Sequence, residues 1–163
     1  MHQGYLAIFE KEISEGEIFD VANEMLQEDF IEGDSGDVGY ALRDPMGDWL
    51  EVGGRYYDML MTDKESEEAL IEQEKKRQEA ASKNNYKDHT MNMMYASRES
   101  EEQMCRKHAC QRIDKDVYNR ILSVKEKYSD ILFLDYVNEK VTEKTPSFKS
   151  IQGHWLVIVD IHS

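Results

Sequence analysis

Hydrophobic and polar positions follow one another along the chain in patterns that predict both strands and helices. The apolar run from Tyr5 to Phe9 predicts a buried first strand. After it, Ser14 and Glu17 have the spacing of a capping box, and the hydrophobic residues that follow recur at helical intervals. We therefore expect an amphipathic, half-buried helix that ends near Gly33.

A hairpin is expected in the region after this helix. Val38 to Leu42 and Trp49 to Val52 have the composition of strands and flank a turn at Pro45–Gly47. The Gly53–Gly54 pair follows directly, and Tyr56 to Met61 is expected to form a further strand.

A polar helix is predicted from about Asp63 to Ser82, because Thr62 and Glu65 form a second capping box. Its strong apolar residues are limited to Leu70 and Ile71. A helix with so little apolar surface is expected to face solvent, to project from the body, or to order on a partner.

The rest of the chain is predicted to contain one long helix and two strands. After a polar linker from Lys83 to Ala96, an apolar stripe at steps of three and four residues predicts a helix that runs from Ser97 or Ser100 to about Tyr128. The apolar runs from Ile131 to Val137 and from His154 to His162 predict strands.

These elements together predict an α+β fold with a mainly antiparallel sheet, helices packed on one face and one polar projecting helix. A chain of 163 residues fits a single domain, 1–163. Within it we distinguish an acidic N-terminal third (1–60), a helical part (63–128) and the C-terminal strands (131–162).

Charge is distributed unevenly along the chain. Of the formal net charge of −14, the first 60 residues carry −12, because fifteen Asp and Glu face only Lys11, Arg43 and Arg55. Such a field repels nucleic acid and membrane surfaces and attracts basic partners. We find neither a membrane-spanning stretch nor a signal-peptide pattern, and the two cysteines are too few for a disulfide framework. A cytoplasmic protein in a reducing compartment is expected.

The stretch from Asp44 to Asp58 combines rigid aromatic side chains with a flexible glycine pair. Gly53 and Gly54 are able to bring backbone N–H groups close to a phosphate or carboxylate, and Arg55 would add a bidentate fork. The stretch lacks the features of a P-loop or a dinucleotide fingerprint. The alternative is structural: the glycines form a turn or bulge, while Trp49, Tyr56 and Tyr57 pack. Arg55 would then pair with Asp48 or Asp58.

The last predicted strand supplies a second candidate site. Asp160 and His162 lie two residues apart and therefore on the same side, where they are able to hold a metal ion or to act as an acid–base pair. With Arg55 they form the alternative catalytic set. No metal or cofactor is predicted: Cys105, His108 and Cys110 do not share one helical face, and Glu32–Gly39 lacks the spacing of a calcium loop.

A resemblance appears at Asp48–Tyr56, whose sequence DWLEVGGRY is similar to the D-W-x-x-x-G-G-R-W block of small, uncharacterised phage and prophage proteins. Some of these end in a strand that reads V-V-D-C-H, which is similar to Val159–His162. The resemblance implies no reaction. It does imply an origin in a virus or mobile element and hence an accessory or anti-defence role.

The leading hypothesis is a non-enzymatic accessory protein that binds and inhibits a host protein with a basic surface in the host cytoplasm. The nucleic-acid groove of a defence nuclease, such as a CRISPR effector, has such a surface, and carboxylates would replace phosphates there. The chain itself would bind neither nucleic acid nor membrane, and its oligomeric state is left open. The predicted contacts are Glu24, Glu28, Asp29, Glu32, Asp34 and Asp37, with Trp49 or Tyr57 as an aromatic anchor.

Two alternatives remain. One is a small enzyme or sensor that binds a phosphorylated or nucleotide-like ligand at Gly53, Gly54 and Arg55. Convergence of Arg55, Trp49 and His162 on one cleft would favour it, whereas an internal ion pair of Arg55 would favour the binding protein. The other is a virion or assembly component that docks through the polar helix.

Overall fold

The computed structural model describes residues 1–31, 49–83 and 89–162. Within these ranges the chain forms six strands and five helices, with a turn of 3-10 helix at Gly54–Tyr56. In chain order the elements are β1 (His2–Phe9), α1 (Ile18–Phe30), β2 (Trp49–Val52), α2 (Asp63–Lys83), α3 (His89–His108), β3 (Cys110–Arg112), α4 (Lys115–Lys127), β4 (Phe133–Asp135), β5 (Lys140–Thr142), α5 (Phe148–Ile151) and β6 (Trp155–His162).

The last strand, β6, lies at the centre of a single sheet. Along one edge it pairs antiparallel with the whole of β1, from His2 opposite His162 to Phe9 opposite Trp155. Its other edge is shared by β2, at the His162 end, and by β3, at the Trp155 end. On the far side of β1, β4 pairs in parallel with β1, and β5 pairs antiparallel with β4.

The predicted α+β class and the mainly antiparallel sheet are confirmed. In the sheet centre, Leu6–Phe9 and Trp155–Ile161 are buried without interruption. Successive side chains of a strand point to opposite faces, so both faces of the sheet centre are covered. Residues 54–60 cover part of one face, where Tyr56 and Met59 lie against Gly4.

Helix α1 forms where the periodicity predicted it, and its buried side is the apolar stripe of Ile18, Ala22, Leu26 and Phe30. The capping box before it is not formed, since the backbone carbonyl of Ser14, rather than its hydroxyl, accepts hydrogen bonds at the start of the helix.

The polar helix is confirmed as α2, and Thr62 Oγ1 caps it by accepting a hydrogen bond from Glu65 N at 3.2 Å. It is not isolated, because it packs along α3. Ser100 Oγ of α3 donates to the carbonyl of Gln73 at 3.1 Å, and Ala69 is buried in this contact. Small residues at the contact allow two polar helices to approach closely.

The prediction of one helix from residue 97 or 100 to residue 128 was wrong. The chain leaves the helical conformation after His108, pairs with β6 through Cys110–Arg112, and starts a new helix at Lys115. Asp114 caps this second helix, α4, because its side chain accepts from Val117 N at 2.8 Å. Cys110 and Ile113 are buried as predicted, but outside a helix. Helical residues also begin at His89, within the expected linker.

The strand predicted at Tyr56–Met61 was also wrong, because this segment forms the 3-10 turn and further turns. Strand β2 is confirmed, and it pairs with β6. The partner strand of the predicted hairpin, Val38–Leu42, lies outside the described residues. No helix in the described part of the chain is long and apolar enough to span a bilayer.

Asp29 was predicted as a partner contact, and the structure corrects this. Its side chain is buried, and Tyr136 Oη donates a hydrogen bond of 2.7 Å to Asp29 Oδ2. The Tyr136 ring stacks on Phe9, with 4.6 Å between the ring centroids. Burial, together with the bond to Asp29, raises the pKa of Tyr136. Asp29 therefore fastens α1 to the end of β4 instead of facing a partner.

Replacing Tyr136 by Phe retains the stacked ring and removes the hydroxyl that bonds Asp29. Because a hydrogen bond to a charged group is lost, we expect the free energy of unfolding to fall by about 1–3 kcal/mol in urea denaturation. Tyr128→Phe is the control, since Tyr128 is 48% exposed and its hydroxyl should contribute little. Equal effects of the two changes would contradict the assigned role of Asp29.

Candidate functional site

Three rings cluster where β1 begins and β6 ends. The strand register places His162 opposite both His2 and Trp49. The indole of Trp49 stacks on the His162 ring at 5.1 Å, and His2 meets His162 edge-on at 4.9 Å and Trp49 edge-on at 5.1 Å. Trp49 remains 40% exposed, so one side of the cluster is accessible.

The buried carboxylate of Asp160 organises the groups beside these rings. Asp160 is 1% exposed, and its oxygens lie 2.9 and 3.1 Å from His2 Nδ1. The backbone N–H of Arg55 donates to the same carboxylate at 3.0 Å. Tyr56 Oη also donates to the carbonyl of His2 at 3.2 Å, which holds the start of β1 against the 3-10 turn.

The glycine pair is required by close packing. Gly54 has φ +51°, and a Cβ at this position would lie 2.7 Å from Asp160. Gly53 has φ +79°, and its Cβ would lie 2.8 Å from the Cys105 sulfur. At the same point Gly53 N donates to the carbonyl of Ile158, whose own N–H donates to Ala109. The two glycines therefore allow β2 and β3 to lie end to end along one edge of β6.

Negative charge is concentrated around this carboxylate. Glu51 lies opposite Asp160 in the register of β2 and β6. Burial raises the pKa of Glu51, and the charges of Glu101 and Asp160 raise it further, while His2 opposes the shift. A site with several carboxylates beside the imidazoles of His2 and His162 favours cationic groups and disfavours phosphate.

The chemistry available here is limited. An imidazole oriented by a carboxylate is able to accept a proton, but acyl transfer also needs a nucleophile. The nearby thiol of Cys105 is not suited to this role, since burial raises its pKa to about 11. Among the described residues, no three His, Cys, Asp or Glu side chains are placed to bind a metal ion.

A groove of about 610 Å³ opens next to His2. Its wall includes Gly4 and Tyr56 on the sheet side and Arg120 and Tyr128 on the side of α4. Neither Trp49 nor Arg55 lines it. The guanidinium of Arg120 is held by Glu65, with Nη–Oε distances of 2.6 and 2.8 Å, so it is not available to a ligand without breaking this pair.

The residues of the alternative catalytic set are brought together in part. Asp160 contacts Arg55 through the backbone N–H, whereas the Arg55 residue is otherwise exposed. His162 lies beside His2, so it is close to the carboxylate that His2 binds. The rings of Trp49 and His162 lie together, but the Arg55 side chain is not part of this ring cluster. Among the described residues, Arg55 forms no ion pair.

The predicted anion site at Gly53, Gly54 and Arg55 is already occupied by the protein. The Asp160 carboxylate lies where a bound phosphate was expected, against the Cα of Gly54 and the N–H of Arg55. The positions of the two glycines agree with the structural interpretation, whereas the ion pair that it expected for Arg55 is not found among the described residues. His2 was not among the residues predicted from the sequence. The only signal for it is its position at the start of a strand, opposite the histidine that ends the paired strand.

The predicted partner contacts have different environments. Glu24 and Glu28 are exposed on α1, and Tyr57 is half-buried near His108, with 6.5 Å between ring centroids. Glu32, Asp34 and Asp37 lie outside the described residues. The exposed side of α1 also carries Glu17 and Asp20, which the sequence analysis did not include.

Comparisons of the chain with known protein families, with curated proteins and with solved structures found no match. The similarity of Asp48–Tyr56 to a block of phage and prophage proteins therefore stays a prediction.

Replacing Gly54 by Ala tests the close approach to Asp160. A Cβ in the left-handed region costs about 1–2 kcal/mol, and the contact with the buried carboxylate adds to this cost. We expect the free energy of unfolding to fall by more than about 2 kcal/mol in urea denaturation. Gly16→Ala is the matched control, because a Cβ there meets nothing within 4 Å. A Gly54→Ala protein as stable as the control would rule out the close approach.

Cysteine labelling tests the burial of the two thiols. Burial raises the pKa of Cys105 to about 11 and that of Cys110 to about 12. Since the thiolate is the reactive form, iodoacetamide at pH 8 should modify the native protein far more slowly than the protein in concentrated urea. Equal rates in the two conditions, followed by mass spectrometry, would contradict the packing of Cys105 against Gly53.

Proposed function

We propose that this chain is a binding protein whose acidic helix α1 docks on a basic surface of another protein. The observation that carries the proposal is the exposed side of the helix. Glu17, at its N-cap, and Asp20, Glu24 and Glu28 follow at steps of three and four residues and are all exposed. These steps place the four carboxylates on one side of the helix.

Little within the described chain neutralises this surface. Asp20 pairs with Arg106 at 3.2 Å, and both side chains are largely exposed, so the pair should contribute little. No ion pair of Glu17, Glu24 or Glu28 is found among the described residues. Helix α1 itself contains no basic residue. The acidic side therefore keeps most of its charge for an external partner.

The stability of the helix does not account for Glu24 and Glu28, although Glu17 and Asp20 lie at its N-terminal end, where negative charge favours the helix dipole. Like charges at i and i+4, such as Glu24 and Glu28, destabilise a helix by about 0.2–0.5 kcal/mol. A negative charge in the last turn also opposes the helix dipole, which is less favourable than a basic residue by roughly 0.3–1 kcal/mol. A surface that lowers the stability of its own helix is better explained by binding than by folding.

The spacing suits a partner that normally binds nucleic acid. At about 1.5 Å per residue, the four carboxylates occupy about 17 Å, or roughly one charge per 5–6 Å. A DNA strand presents one phosphate per about 3.4 Å, so the helix would be a sparser substitute for one strand. We extend the proposal to an anti-defence role of phage type, in which α1 occupies the nucleic-acid groove of an effector such as a CRISPR nuclease.

The ligand-binding alternative has less support. It placed a phosphorylated group against Gly53, Gly54 and Arg55, where the Asp160 carboxylate now lies. A second anion beside a buried carboxylate would be repelled. The exposed Trp49 indole remains the proposed aromatic anchor of a protein interface.

Glu28→Lys should have opposite effects on stability and on binding. It replaces the like-charge pair at positions 24 and 28 with a pair of opposite charges and places a cation in the last turn, so the free energy of unfolding should rise by about 0.5–1 kcal/mol. Capture of the tagged protein from infected cells, followed by quantitative mass spectrometry, should recover the partner at low salt. The Glu28→Lys variant should recover about five- to tenfold less of it.

Glu126→Lys is the matched control, because Glu126 is exposed in the last turn of α4 and the substitution is the same. It should leave recovery of the partner unchanged. The captured protein should also lose DNA binding when the wild-type chain is added, measured by fluorescence anisotropy. Recovery that depends neither on salt nor on Glu28 would overturn the proposal.

A further inference from the structure

The two most exposed aliphatic side chains of the described helices are neighbours on α2. Leu70 is 55% exposed and Ile71 is 65% exposed, although both lie in the middle of a helix that packs against α3. The contact with α3 involves other residues, since Ala69 is buried and Gln73 accepts a hydrogen bond from Ser100. Leu70 and Ile71 therefore face away from the helix pair.

These two residues are the centre of a longer stripe. A shallow groove on the outer side of α2 is lined by Glu67, Leu70, Ile71, Glu74, Lys75 and Gln78. The steps of three, one, three, one and three residues place all six on one side of the helix. We refer to these six residues as the outer stripe of α2. Along the helix axis, Leu70 and Ile71 have polar residues before and after them, and around the axis they lie about 100° apart.

The charges of the outer stripe identify the partner helix. Glu67 lies four residues before Ile71, and Lys75 lies four residues after it. A copy of α2 that runs antiparallel, with a two-fold axis near Ile71, places Glu67 of each chain opposite Lys75 of the other. A parallel copy would instead place like charges opposite each other, which is unfavourable. Glu67 and Lys75 are therefore complementary in the antiparallel direction, while Glu74, the third charged residue of the stripe, is paired with Arg77 of its own helix.

We propose that two copies of this chain associate through the outer stripe of α2, antiparallel, with Ile71 at the centre of the contact and Leu70 at its side. The contact is isologous, so each Glu67–Lys75 pair occurs twice. The first turn of α2 is held against α4 by the ion pair between Glu65 and Arg120. This proposal does not depend on α1 or on the function proposed for it.

A single pair of helices buries less area than a standard interface, so the dimer should form at micromolar or higher concentration. Sedimentation equilibrium over a range reaching about 500 µM should show a reversible monomer–dimer equilibrium. Ile71→Glu should abolish it, because two carboxylates would meet at the axis. Leu122→Glu is the control, since Leu122 is a 43% exposed residue of α4 and its replacement should leave the dimer intact.

A charge exchange tests the direction of the contact. Glu67→Lys and Lys75→Glu should each weaken the dimer by about tenfold, because each places like charges opposite each other. An equimolar mixture of the two variants should form a heterodimer, since the two cations of the first variant then face the two carboxylates of the second at both ends of the contact. Circular dichroism should show unchanged helix content, because all of these positions are on the surface.

A wild-type protein that stays monomeric at the highest concentration would overturn the proposal. So would a dimer that Ile71→Glu leaves intact, or two charge variants that fail to combine in the mixture. Glu28→Lys should dimerise like the wild type, so a failure of α1 to bind a partner and a failure of α2 to dimerise are distinguishable.

Discussion

The pairing of the first strand with the last is the contact on which the rest of the structure depends. Strands β1 and β6 pair over their whole length, and the central part of this pair is buried on both faces. Each of the other strands is attached to one of these two, directly or, for β5, through β4. Because the pair joins opposite ends of the chain, the sheet cannot be completed until the C-terminal strand is present. This pairing also brings His2 to His162 and so creates the candidate site.

A single buried carboxylate then determines the local geometry of that site. Asp160 accepts from His2 and from the backbone of Arg55, and the lack of a Cβ at Gly54 leaves room for it. These groups satisfy a charge that would otherwise be costly to bury. The same contacts use the backbone N–H of Arg55 and the space beside Gly54, so in these contacts the two glycines serve the packing of Asp160. The site is better understood as a structural junction with an exposed indole at its edge.

The surfaces most available to other molecules are two helices with opposite properties. Helix α1 presents exposed carboxylates, of which Glu24 and Glu28 do not benefit its own stability, whereas α2 presents exposed Leu70 and Ile71 between residues of opposite charge. The partner proposed for the first is a basic surface, and the partner proposed for the second is another copy of the chain.

The sequence alone determined what depends on neighbouring residues. The apolar runs of β1 and β6, the Thr62 cap of α2 and the excess of negative charge before residue 60 were all readable, because periodicity, capping and charge are local properties. Only the tertiary structure decided that Cys110 belongs to a strand and that Asp29 is buried beneath Tyr136. The physical reason is that an apolar stripe shows which residues are buried but does not show which element of the fold covers them. Pairing with β6 interrupted the predicted long helix at a point where the local pattern showed no break.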